Sequence, residues 1–230
     1  MFSAKNRILL SLFAFLFFAF LLLGIAVKFF GGFLLFDPLI LVNIHEVLPD
    51  SQVRFWVFIT NFGNSSSLYY SAFGLALVFW VFKRKREAIY LTISIVGSQN
   101  LNVLVKNIWQ RPRPQLWHFD YYPTPQDFSF PSGHSMGSIN FALTLLIILW
   151  GISNKRLKIL LSLMATIYVV LVSFSRLYLG VHYPTDILGG WLLGSSWTMA
   201  MAFLFNLPNS PNSTLENSGK RAQNFDKTSI

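Results

Sequence analysis

Six apolar runs, at about residues 8–27, 66–82, 88–105, 134–150, 157–174 and 184–205, punctuate this 230-residue chain. Each approaches the ~20 residues that a helix needs to cross the hydrocarbon core of a bilayer. Only 12% of residues are charged and 53% are hydrophobic, whereas about 25% are charged in ordinary soluble domains. A chain so poor in charge cannot coat a water-exposed surface. The expected fold class is therefore all-α, an integral membrane bundle of six transmembrane helices, over residues 1–205. The first run follows Lys5 and Arg7 and exceeds the ~7–15 residues of a signal-peptide core, so it reads as an uncleaved anchor. Residues 37–64 mix apolar and polar side chains, which suits short interfacial helices on the outer side. From Asn206 the chain is polar and rich in Pro, Ser and Asn, and 206–230 reads as a disordered cytoplasmic tail. No repeat of 20–50 residues and no soluble domain is visible.

Charge sets the sidedness. Lys and Arg number 18 against 9 acidic residues, a net +9. Placing the N-terminus in the cytoplasm puts 12 of the 18 basic residues inside, as the positive-inside rule asks of a chain with both termini cytoplasmic. The basic excess thus reads as an orientation signal, and no nucleic acid is expected as a partner. Six basic residues, Lys28, Arg54, Lys106, Arg111, Arg113 and Arg176, fall outside, and three of them belong to motifs. Cys is absent, which excludes disulfides, thiol nucleophiles and Cys-ligated metals.

Three short stretches stand at the outer ends of runs three to six: Lys106 to Pro114, Pro131-Ser132-Gly133-His134, and Ser175 to Asp186. Lys106, Arg113 and Arg176 place positive charge where water is scarce, so an anion is expected beside them. Arg forks match phosphate oxygens, and Lys adds a point charge. Ser132 and Gly133 open a helix whose first backbone N–H groups lack helical partners, an anion site in waiting. In-line phosphoryl transfer also needs a nucleophile and a proton donor for the leaving oxygen. His182 lies four residues before Asp186, and a carboxylate on one ring nitrogen would orient the other as nucleophile. His134 has no carboxylate close in sequence and reads as the general acid, then the base for water.

Together the stretches match K-x6-R-P, P-S-G-H and S-R-x5-H-x3-D, and the chain resembles the type 2 phosphatidic acid phosphatase (PAP2) superfamily. Lys106, Arg113, Pro114, Pro131, Ser132, Gly133, His134, Ser175, Arg176, His182 and Asp186 fill every motif position. The resemblance implies His182 as nucleophile, His134 as proton donor to the leaving group, and phosphate binding by Lys106, Arg113 and Arg176. It extends to the bacterial membrane members of the family, which implies a bacterial plasma-membrane enzyme with an extracytoplasmic site. Phosphatidylglycerophosphate is the first substrate expected, and undecaprenyl pyrophosphate the alternative. The partners expected are this lipid phosphate and membrane lipids, with no obligate protein partner.

Rival readings are weaker. Two His and one Asp could hold zinc, but the neighbouring cations favour an anion, so no metal and no other cofactor is expected. An anion or lipid transporter would carry charge at mid-depth and paired broken helices, and neither pattern is visible. His45 with Glu46, and His118 with Asp120, read as loop residues. The aromatic stretch 115–130 suits a head-group rim built on Trp117, Tyr121 and Tyr122. Gln99, Asn100 and Asn102 suit interhelical hydrogen bonds.

Overall fold

The structure, a computed structural model, describes residues 3–30, 36–117, 119–120, 122–151 and 154–206. The expectations for His118, Tyr121 and nearly all of the tail lie outside these residues. Among the described residues the chain is helical, and its one β-bridge is the isolated pair Phe119–Tyr122. The helices are α1 Ala4–Phe29, α2 Phe36–Val47, α3 Val53–Asn61, α4 Ser65–Val81, α5 Lys85–Trp109, α6 Gly133–Leu149, α7 Lys155–Tyr178 and α8 Pro184–Phe205, with a 3₁₀ turn at Asp50–Gln52.

Local chemistry sets several helix ends. Ser3 Oγ accepts from Asn6 N at 3.2 Å at the start of α1. Asn154 Oδ1 accepts from Arg156 N at 2.9 Å and Leu157 N at 3.2 Å, opening α7. These are N-caps that satisfy otherwise orphaned backbone donors. At α8, Pro184 fits the first turn, where its missing N–H costs nothing. Helix α5 ends where Gln110 turns left-handed, at φ 53°.

Packing centres on α8, which lies against α1 and α6, while α5 contacts α4, α6 and α8. Two glycines allow α6 and α8 to approach closely. A methyl group on Gly190 would meet the Ser132 carbonyl oxygen at 2.7 Å, and one on Gly194 the Met136 carbonyl oxygen at 2.7 Å. Polar side chains then cross the interface. Asn140 donates to Ser94 Oγ at 2.9 Å and Thr198 Oγ1 at 2.8 Å, tying α6 to α5 and α8. Small residues and buried hydrogen bonds are what joins helices where the surroundings are as apolar as the side chains. The outward faces agree: Ile8, Phe15 and Phe18 on α1, and Ile159, Leu160 and Leu163 on α7, are all exposed.

Helices α1, α5, α7 and α8 are long and apolar enough to cross a membrane. The expected second and fourth runs form α4 and α6, each of 17 residues, or about 26 Å at 1.5 Å per residue. Helix α5 runs past the expected end of the third run, so Lys106 stands in its last turn. Helix α7 likewise extends to carry Arg176. His45 and Glu46 belong to α2, a correction to their reading as loop residues. His45 stacks on Trp117, with ring centroids 4.3 Å apart. Helices α2 and α3 pack on α7, and α2 also touches α8. This segment therefore builds one end of the bundle.

Candidate active site

That end gathers the C-termini of α3, α5 and α7 and the N-termini of α2, α4, α6 and α8. Between them lies a cavity of about 230 Å³, lined among others by Lys106, Arg113, Gly133, His134, Arg176 and His182. All six stood among the sequence candidates, so three distant stretches do meet at one place.

His182 sits in the short connection between α7 and α8 and is 1% exposed. Its Nδ1 lies 3.3 Å from Asp186 Oδ2, and its Nε2 lies 3.0 Å from Arg113 Nη1. A guanidinium can only donate, so Nε2 must accept. The ring proton therefore belongs on Nδ1, facing the carboxylate, and the lone pair on Nε2 faces the cavity cations. Burial, followed by the charges of Arg113, Arg176 and Lys106, holds the imidazole well below its usual 6.5. His182 is thus neutral, with its reactive nitrogen unprotonated. Asp186 Oδ2 also accepts from Tyr183 N at 2.9 Å, which fixes the carboxylate at the start of α8.

His134 stands in the first turn of α6, where its Nε2 lies 2.9 Å from Asn64 Oδ1. Asn64 Nδ2 donates elsewhere, to Asn61 Oδ1 at 3.0 Å. The Asn64 oxygen is thus the acceptor, and it keeps a proton on His134 Nε2. Gly133 lines the cavity beside it. Ser132 takes a different place: its N–H donates to the Asp186 carbonyl at 3.0 Å, and its Oγ accepts from Ser135 Oγ at 3.2 Å. Its backbone donor is therefore engaged in joining α6 to α8, while its hydroxyl accepts within the first turn of α6.

The cations are also held. Arg176 is 1% exposed and donates through Nη1 to Thr60 Oγ1 at 2.7 Å and Tyr122 Oη at 2.6 Å. Arg113 donates through Nε to the Asp127 carbonyl at 2.9 Å and through Nη2 to Asp127 Oδ1 at 2.5 Å. Lys106 Nζ pairs with Asp127 Oδ2. An anion was expected between Lys106 and Arg113, and in this structure the Asp127 carboxylate stands there. Burial works against its charge, but the hydrogen bond and charge of Lys106, with Arg113 behind them, hold its carboxyl below the usual carboxylate range.

Sequence reasoning missed Asp127, Asn64, Thr60 and Asp37, and it named Arg111 only as an outer cation and Tyr122 only as part of a head-group rim. Only Asp37 carried a signal, as a lone carboxylate in the apolar stretch between Lys28 and His45. Trp117 and Tyr122 turn inward, onto His45 and Arg176. Asn102 donates to the Pro131 carbonyl at 3.2 Å, so it secures the Pro-Ser-Gly-His turn.

The sequence model of the PAP2 superfamily matches residues 87–208. The chain belongs to the PAP2 superfamily. Its PAP2 relatives include the undecaprenyl-diphosphatase of Sulfolobus acidocaldarius, 34% identical over 187 residues, 76% of this chain and 82% of that one. Phosphatidylglycerophosphatase B of Bacillus subtilis is 32% identical over 143 residues, 59% of this chain and 66% of that one. Among solved structures, the transmembrane PAP2-type phosphatidylglycerolphosphate phosphatase of B. subtilis superposes with a TM-score of 0.75 at 26% identity, covering 82% of this chain and 93% of that one. With its apolar helices, the chain is a multi-pass membrane protein of the PAP2 fold. Helices α2 and α3, with Asp37, Thr60 and Asn64, lie before the matched residues.

Proposed function

We propose that the chain is a lipid phosphate phosphatase that works through a phospho-His182 intermediate. The observation that carries this reading is His182 Nε2, unprotonated and facing the cavity cations, with its Nδ1 proton on Asp186. A lipid phosphate enters and draws Lys106 and Arg113 away from Asp127. Arg113 moves from His182 Nε2 onto a phosphoryl oxygen and so frees the lone pair. Arg176 and the backbone around Gly133 complete the cradle. Nε2 attacks phosphorus, the bond from phosphorus to the lipid oxygen breaks, and His134, cationic beside the bound phosphate, passes its Nε2 proton to that oxygen and becomes neutral. His134 then takes a proton from water, whose oxygen attacks phosphorus and breaks the N–P bond. Preorganised positive charge in a dry site supplies most of the rate enhancement.

The topology proposed with it has six spans, α4 and α6 included, both termini cytoplasmic and the site at the outer face. The balance of basic residues supports that orientation. Two lipid phosphates are proposed as substrates. Phosphatidylglycerophosphate draws support from the likeness to the B. subtilis structure over 93% of its length. Undecaprenyl diphosphate draws support from the Sulfolobus relative.

The test is phosphate release from both lipids by the purified protein in detergent, with chelator present. Release is expected, and none from either lipid, by folded protein, overturns the reading. The pH profile adds a sign. Attack needs neutral His182, so activity falls as pH drops through its pKa. In the free enzyme that limb of kcat/KM is expected well below 6.5, once the substrate's own second ionisation, at about 6, is divided out. Bound phosphate offsets the cations that depress His182, so the limb of kcat is expected at higher pH. A kcat/KM limb above 6.5 would contradict the assigned charge state.

Asp127 offers a second check. Its carboxylate competes with substrate for Lys106 and Arg113, and its side chain is 55% exposed, so it can leave. Asp127→Asn is expected to lower the KM for lipid phosphate and the inhibition constant of inorganic phosphate by about threefold to tenfold. A raised KM would show that the carboxylate helps to bind substrate.

A further inference from the structure

Asp186 holds the nucleophile and is itself held. Arg111 Nη1 donates to Asp186 Oδ1 at 2.6 Å, and Arg111 Nη2 donates to Asp37 Oδ2 at 2.8 Å. Asp37 also accepts from Thr185 N at 3.0 Å and from Thr185 Oγ1 at 2.5 Å. The Arg111 guanidinium lies 4.2 Å from the centroid of the Tyr183 ring. Asp37 is 1% exposed and Asp186 0%. Two buried carboxylates thus share one guanidinium, next to the histidine that attacks phosphorus.

The charge count explains the arrangement. Once Nε2 carries the phosphoryl group while Nδ1 keeps its proton, the His182 ring is cationic. A neighbouring net negative charge stabilises that state, and far more strongly in a poorly solvated site than in water. Asp186 paired with Arg111 alone would be a neutral unit, and most of that field would be lost. Asp37 adds a second carboxylate, so Asp37, Arg111 and Asp186 together carry one negative charge. Arg111 meanwhile fixes the plane of the Asp186 carboxylate, leaving Oδ2 for His182.

We infer that Asp37 is a positioning residue for the nucleophile: it keeps the unit it forms with Arg111 and Asp186 negative, so that His182 can carry the phosphoryl group. This rests on the phosphatase reading above. It gives α2 a part in the chemistry, although α2 lies outside the residues that the family model matches. Against it stands a simpler role for Asp37, as a tie between α2 and the start of α8 through Thr185.

The two roles predict opposite results in a charge-balance experiment. Wild type, Asp37→Asn, and the double variant Asp37→Asn with Arg111→Met are compared in the lipid assay, with folding checked by gel filtration. Asp37→Asn leaves a neutral Arg111–Asp186 pair, and kcat is expected to fall by about tenfold or more, with KM within about twofold. The double variant removes the guanidinium too and restores one net negative charge at Asp186. Its kcat is expected to be several-fold above that of the single variant. A tie alone predicts the reverse, because the double variant loses more bonds. Wild-type kcat in Asp37→Asn, or a double variant no faster than the single, overturns the inference. If Asp37→Asn is not recovered folded, the double variant decides against wild type: kcat within about tenfold upholds the inference, and a larger loss overturns it. Absence of release by wild type would instead sink the phosphatase reading, since the inference concerns only the ratios between variants.

Discussion

His182→Ala is expected to lower phosphate release by about 10⁴-fold or more, roughly 5.5 kcal/mol of barrier, and to abolish the phosphoenzyme. The side chain is nearly inaccessible at 1% exposed, and it meets Arg113 through one nitrogen and Asp186 through the other. Among the described residues no other imidazole beside the cations has its free lone pair so fixed, since His134 Nε2 donates to Asn64 Oδ1. Removing His182 leaves the cradle intact, so lipid phosphate should still bind. The decisive measurement pairs turnover with acid-labile ³²P incorporation from labelled lipid. Wild type should label and His182→Ala should not. A labelled His182→Ala protein would move the nucleophile elsewhere, and His134 would be the first residue to examine.

The second large effect concerns His134 and depends on the leaving group. Its proton matters most when the departing oxygen is a poor leaving group. Phosphatidylglycerophosphate releases an alcohol, whose oxygen needs a proton as the bond breaks. Undecaprenyl diphosphate releases a phosphate monoester, whose second pKa is about 6 and which departs readily as an anion. His134→Ala is therefore expected to slow phosphoenzyme formation by about 10²–10⁴-fold with the monoester and by clearly less with the diphosphate. Water attack on phospho-His182 is common to both substrates and should slow equally, so the diphosphate should leave labelled enzyme to accumulate. Single-turnover labelling with each lipid measures both steps. Equal losses in the labelling step would mean that His134 serves only the water step or the binding of phosphate.

Chemistry was legible in this chain because polar residues are scarce in it. Lys106, Arg113 and Arg176 stood out as cations on the wrong side of a sorting rule, and the four-residue spacing of His182 and Asp186 already implied a contact across a helix start. The positions of the helices followed from apolar run lengths, although their ends did not. Helices α5 and α7 run past the apolar residues because a bundle end shields charges that a lone helix would expose to lipid, as with the buried Lys106 and Arg176.

Other residues were silent for a physical reason. Asp127 lies in a loop whose run of turn and aromatic residues has no period, and only closure of that loop brings its carboxylate to Lys106. Asn64 and Thr60 look like ordinary turn and helix residues until α3 and α4 fold over His134 and Arg176. Arg111 lies two residues from a motif Arg and yet faces the opposite partners, Asp37 and Asp186, because the chain leaves α5 through the left-handed Gln110 and continues non-helically. The sequence by itself determined a helical membrane chain with a phosphate-seeking cluster, because apolar length and buried charge leave few alternatives. Only the tertiary structure decided which carboxylate neutralises which cation. Asp37 and Arg111 are 74 residues apart, and Arg111 and Asp186 are 75 apart, so pairing over such separations is set by how the helices pack.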